Sequence, residues 1–291
     1  TLAPKYSRPD APVPSAWPTG AAYNEMKMTA SAPTTAAELP WRKFITDERL
    51  QKIIETALNQ NRDLRITVLN VEKARAYYGI QRAELLPTVN AAGSMSKGRV
   101  PADLSTTGSA YTSEQYNVNL GISSWEIDFF GRIRSLKDKA LEEYLATDQA
   151  RRSAQMLLVS TVANAYLTLA ADRENLHLAV STLESQEASY KLIRKRYEVG
   201  FASELDLKRA QSQVEASKGD IFRYTQLAAQ DENALNLLAG SPLPPDLLPP
   251  ELSSLNPTQE ISPGLSSELL LRRPDVLAAE HRLKAANANI G

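Results

Sequence analysis

The sequence predicts a mainly α chain that carries one β-hairpin, and three observations lead there. Of 17 prolines, nine lie in residues 1–101 and eight in 242–274, so 102–241 can run as helix without interruption. Apolar residues recur every seven positions through much of that stretch. Residues 115–125, QYNVNLGISSW, instead alternate strictly by twos, which is the period of a strand.

The elements follow in order. Residues 1–45, with Pro4, Pro9, Pro12, Pro14 and Pro18, read as an extended N-terminal segment. Residues 46–87 hold two helices. Asp47 or Thr46 supplies the first N-cap ahead of Leu50, Ile53, Ile54, Ala57 and Leu58, and the second helix runs through Leu64, Val68, Val71, Ala74 and Tyr78 until Pro87 stops it. Residues 88–129 form a hairpin. Its weaker strand, 89–100, sets Val89, Ala91 and Met95 against Asn90, Ser94 and Ser96, and a polar loop, 101–113, leads to the second strand. There Tyr116, Val118, Leu120 and Ile122 share one face, and Asn117, Asn119, Gly121 and Ser123 share the other.

Residues 130–240 read as a long helical hairpin. Val162, Leu169, Leu176, Leu183, Tyr190 and Tyr197 recur every seven positions, with Val159, Tyr166 and Val180 on an adjoining seam that Arg173, Glu187 and Arg194 interrupt. Helix from Phe130 to Glu198 would be roughly 100 Å long. Gly200 breaks it, and Leu207, Val214, Ile221, Ala228 and Leu235 carry a second helix to Gly240. EVGFASELD is then the hairpin tip. Residues 241–263 are a Pro-rich linker, and 264–291 begin a second repeat: at an offset of 212, Asp63 matches Asp275, Leu64 Val276, Val71 Leu283, Ala74 Ala286, Ala76 Ala288 and Gly79 Gly291. The expectation is a longer natural polypeptide whose second copy starts here.

Composition narrows the function. The 291 residues are 43% hydrophobic and 23% charged, with 33 Lys plus Arg against 34 Asp plus Glu, so no basic footprint suggests nucleic acid. Cysteine is absent, and His177 and His281, both expected to be solvated, are too few for most metal sites. No stretch approaches the roughly 18 apolar residues that a membrane helix needs, so a membrane would have to be spanned by strands. An enzyme finds no support: there is no nucleophile with a base, no Gly-rich phosphate loop, and Glu142–Glu143 and Asp231–Glu232 point apart as neighbours on a helix. No cofactor is expected.

The hairpin alone fits a soluble core with one apolar face. Two strands of about ten residues, Trp125 and Tyr116 near opposite ends of one strand, and small polar residues behind also fit a membrane barrel with a wet lumen. One hairpin cannot close a barrel, so the second reading demands an oligomer.

PADLSTTGS, SSWEIDFFGRIRSL, SAQMLLVSTVANAYLTLAADRENL, RYEVGFASELDLKRAQ and SSELLLRRPDVLAAEHRLKAANANIG together resemble the TolC-like outer-membrane factors, in the lipoprotein subgroup of multidrug efflux channels that includes OprM. The resemblance implies a homotrimer in which strands join a shared outer-membrane β-barrel and helical hairpins join a periplasmic α-barrel. It implies the passive exit duct of a tripartite efflux pump in a Gram-negative bacterium, partnered by outer-membrane lipid, a periplasmic adaptor (membrane fusion) protein and an inner-membrane transporter of RND type. On that basis Tyr116, Val118, Leu120 and Ile122 face lipid, and Asn117, Asn119 and Ser123 face the lumen. Val199, Gly200, Phe201, Ala202 and Ser203 match the adaptor-docking tip, or are a turn with a capping glycine. Asp206 matches a residue of the periplasmic latch, or is a first-turn Asp favoured by the helix dipole. The family's acylated cysteine is not in this sequence, so a lipid anchor would lie before Thr1, be trimmed, or not exist. Export of proteins (type I secretion) or of metal ions is the alternative within the class. A soluble periplasmic coiled-coil adaptor would explain 130–240 but neither the strands nor the repeat.

Overall fold

The computed structural model describes residues 4–9, 40–255 and 267–290. The chain divides into two compact units, one of residues 10–70 and 148–278, the other of 1–9, 71–147 and 279–291.

The first unit owns a hydrophobic core. Helix α2 (Glu48–Gln60) contributes Ile53, Ile54 and Ala57, the long helix α4 (Arg132–Glu198) contributes Val162, Tyr166 and Leu169, and α5 (Glu204–Ala239) contributes Leu235 and Ala239, all fully buried. Asp47 is the N-cap of α2: its Oδ1 accepts the Leu50 amide at 2.8 Å and also the Tyr166 hydroxyl at 3.4 Å. Burial first, and the Asp47 carboxylate second, push the Tyr166 phenol well above its ordinary range. One buried side chain thereby ties a helix start to the core.

Asn61 makes a second joint. Its Oδ1 accepts the Leu64 amide at 2.9 Å to open α3 (Arg62–Ala83), and its Nδ2 donates to the Leu238 carbonyl at 2.9 Å near the end of α5. Gly240 closes α5 with φ 80°, and a Cβ there would lie 2.5 Å from the Gln60 carbonyl oxygen. Between α4 and α5, Arg173 reaches Glu232 at 3.2 Å and the Pro249 carbonyl at 2.7 Å. The heptad seam is buried at Val162 and Leu169, half-buried at Leu176, Leu183 and Tyr190, and exposed at Tyr197. Packing therefore loosens toward the tip.

Several expectations change here. A single turn, α1 (Trp41–Phe44), sits inside the segment read as extended, because Pro40 offers its carbonyl to Lys43 at 2.8 Å and Gln51 holds the Ile45 carbonyl at 2.6 Å. Residues 10–39 lie outside the described residues. The Pro-rich linker is partly core: Leu243, Leu248 and Pro249 are buried, although 256–263 are not described. One 18-residue window of α4 is apolar enough to cross a membrane by length and composition, contrary to the sequence expectation. Its length allows polar residues between the apolar ones, and four of the latter, Leu158, Val162, Tyr166 and Leu169, belong to the core.

The second unit holds the strands. β1 (Thr88–Val100) and β2 (Tyr111–Ser124) pair antiparallel, Ala91 opposite Leu120 and Met95 opposite Tyr116. The loop is 101–110 and shorter than expected, since Tyr111, Thr112 and Ser113 pair with Val100, Arg99 and Gly98. α4 opens at Arg132, two residues later than expected: Gly131, with φ 86°, has no side chain to cap it, and the Asp128 carboxylate takes the Arg134 amide at 2.9 Å instead. Helix α6 (Pro274–Ala288) starts 212 residues after α3 (Arg62–Ala83), the same offset at which the sequence pairs Asp63 with Asp275. Its His281 is not solvated as expected but mostly buried, with Nδ1 2.6 Å from Glu142 of α4.

Candidate functional site

Cross-strand pairing brings the two alternations into one surface. Val89, Ala91 and Met95 fall on the same face as Ile122, Leu120 and Tyr116, while Asn90, Ser94 and Ser96 share the other with Gly121, Asn117 and Gln115. Both faces are open. Val118 is 85% and Leu120 77% exposed, so the apolar face has no protein against it among the described residues. Toward the loop that face ends in the Lys97–Glu114 ion pair. At the other end the register shifts, with Val89 opposite Ile122 but Thr88 opposite Ser124, so β2 carries one extra residue, 123. The side chain of Ser123 lies outside the described residues.

The tip is a rigid turn. Gly200 adopts φ 82°, its amide meets the Tyr197 carbonyl at 3.0 Å, and the Phe201 amide meets the Arg196 carbonyl at 2.7 Å, which is the Schellman arrangement. Ser203 then caps α5 through a reciprocal box: the Asp206 amide donates to Ser203 Oγ at 3.1 Å, and the Ser203 amide donates to Asp206 Oδ2 at 3.2 Å. The Ser203 hydroxyl and amide hold the Asp206 carboxyl below its ordinary range. Between the two helix ends Val199 and Phe201 stand exposed, Phe201 by 78%, while Ala202 is half-buried. The structure thus joins Ser203 to Asp206, a pairing that the sequence reading had not made.

Two further features were not anticipated. Asp231 of α5 lies beside Asp172 of α4, and burial, then its acidic neighbour, raise its carboxyl above the ordinary range. An apolar cleft of about 690 Å³, lined by Trp41, Phe44, Leu50, Met156, Val159 and Leu255, opens beside the core of the first unit. Among the described residues no cluster of three or more His, Asp or Glu could hold a metal.

The profile of the outer membrane efflux protein family matches residues 53–241. The chain is 48% identical over its whole length to a Pseudomonas putida protein named as a probable efflux pump outer membrane protein, TtgC, and equally to one named as a toluene efflux pump outer membrane protein; it covers 60% of each. Among solved structures, the open state of the Neisseria gonorrhoeae MtrE outer membrane channel superposes with a TM-score of 0.79 at 36% identity, over 100% of this chain and 62% of that one.

Proposed function

The chain belongs to the outer membrane efflux protein family, and on that premise we propose that it forms part of the passive exit duct of a tripartite efflux pump in the outer membrane of a Gram-negative bacterium. The observation that carries the reading is the exposed two-faced hairpin. A sheet with one apolar and one polar face, both open, is stable where lipid meets the first and water the second. Its two edges need further strands, and the repeat begun at α6 together with copies of the chain in a homotrimer would supply them. Strands 88–124 then belong to the barrel and 132–239 to the periplasmic helices. The relative named as a toluene efflux pump outer membrane protein supports small organic cargo.

The tip supports docking of a periplasmic adaptor, itself bound to an inner-membrane transporter of RND type. Val199 and Phe201 are exposed apolar groups on a turn whose Gly200, Phe201 and Ser203 amides are already bonded, so a partner could cover them without breaking those bonds. Asp206 would have to serve a neighbouring helix as latch while capping its own.

The test uses the full-length natural protein. After alkaline carbonate washing, a trimer-sized band in the outer-membrane pellet of an unheated gel supports the reading. Release into the soluble periplasmic fraction overturns it.

A further inference from the structure

The connection between β2 and α4 carries Phe129 and Phe130, 78% and 86% exposed, in one short segment with the exposed Trp125 and Ile127. Their exposure is enforced locally. The Phe129 amide donates to the Ile127 carbonyl at 2.9 Å, Gly131 turns the chain with a positive φ, and Asp128 caps α4. Every charge of residues 125–134 is spent inside the segment: Arg132 grips Glu126, with Nε 3.0 Å from Oε1, and Arg134 grips Asp128 at 3.2 Å. A segment with prominent exposed aromatic rings and no unpaired charge offers a charged partner little to hold.

The segment continues the apolar face of the hairpin. The extra residue at 123 resets the alternation of β2, and the same alternation carried one step past Ser124 would put position 125 on the face of Leu120 and Ile122. The Trp125 indole N–H already donates to the Leu85 carbonyl at 3.4 Å. From Tyr116 to Trp125 is about eight strand steps, or roughly 27 Å along the strand and roughly 21 Å across a membrane at about 40° of tilt. That is close to the apolar band of about 25 Å in outer-membrane barrels. Trp125 then marks its lower edge, and aromatic residues are favoured at that level.

We infer that residues 125–130 are a lipid anchor, with Phe129 and Phe130 inserted at the boundary of acyl chains and headgroups in the periplasmic leaflet of a phospholipid membrane. The inference rests on the channel reading. Its test places a nitroxide at Phe130→Cys, and separately at Leu120→Cys, in the full-length protein cleared of other reactive cysteines and reconstituted in phosphatidylethanolamine–phosphatidylglycerol vesicles. Phe129→Cys replaces Phe130→Cys if that variant assembles poorly. Collisions with oxygen several-fold above those with a water-soluble nickel chelate at both positions, with the Phe130 site shallower than Leu120, are expected. A lipid-exposed Leu120 site with a Phe130 site open to nickel, or shielded from both reagents by protein, overturns the anchor alone. A Leu120 site without lipid contact overturns the channel reading and the anchor with it.

Discussion

The core of the helical unit and the face of the hairpin contain the same kinds of side chain in opposite circumstances. Ile53, Val162 and Leu235 have no exposed surface, whereas Val118, Leu120 and Ile122 are mostly exposed. The helices solve their apolar surface within the chain, because residues of α2, α4 and α5 meet in one buried cluster that Leu243 and Leu248 join. The hairpin cannot, since two strands have no inside. Apolar content therefore identifies a core only when the elements that could enclose it are present. Where they are absent, the same residues specify a surrounding medium.

The sharpest way to break the comparison is to cut both regions alike. Leu235→Ala should cost about 2–5 kcal/mol through lost burial and a cavity, whereas Leu120→Ala should change the unfolding midpoint in detergent little, because the channel reading puts detergent and no protein against that exposed side chain. Equal losses would mean that the hairpin is packed against protein. Charge sharpens the same contrast: Leu120→Arg should cost about 2–4 kcal/mol near mid-bilayer and lower the trimer yield, while Asn119→Arg should assemble and alter single-channel conductance. At the joint of the helical unit, Gly240→Ala forces a Cβ against the Gln60 carbonyl at a positive φ, and should cost about 1–3 kcal/mol in thermal unfolding. Phe201→Asp should leave both regions folded and the protein abundant in the membrane, yet abolish efflux measured as drug resistance. Wild-type resistance would remove the docking proposal.

The smallest effect is acid–base. The Asp231 carboxyl is raised, so the stability it contributes is present in acid and is lost as pH rises from the ordinary aspartate range through its raised value. Asp206 is lowered, so its capping contribution is present at neutral pH and is lost as pH falls through its depressed value. Asp231→Asn should flatten melting temperature against pH on the weakly acidic side, and Asp206→Asn only at strongly acid pH.

Much of the fold was legible because it rests on period and punctuation. Asp47, Gly200 and Gly240 mark helix ends by chemistry that acts within a few residues, and the offset of 212 relates the starts of α3 and α6. The face assignment of Leu120 needed only alternation, and its agreement with Ala91 was fixed by the register. What escaped depends on distant pairs. Nothing near Asn61 announces Leu238, and neither Asp172 nor Asp231 hints at the other in sequence. The extra residue at 123 is a property of two strands together, and the Asp128 cap was missed because it reaches its helix from outside the usual N-cap position. The candidate site was readable as residues but not as geometry: Asp206 was recognised in the first turn, and the reciprocal bonds to Ser203 appeared only when the turn was folded.

The claim on which the rest depends is that Leu120 and Asn119 meet different media. The most direct measurement is single-cysteine labelling of Leu120→Cys and Asn119→Cys in the full-length protein in intact outer membrane, with a charged thiol reagent in water and a quencher carried on phospholipid acyl chains. Modification of the Asn119 site by the aqueous reagent, with lipid quenching confined to a probe at the Leu120 site, is the expected result. Reversed labelling, or equal behaviour of the two sites, would contradict the account.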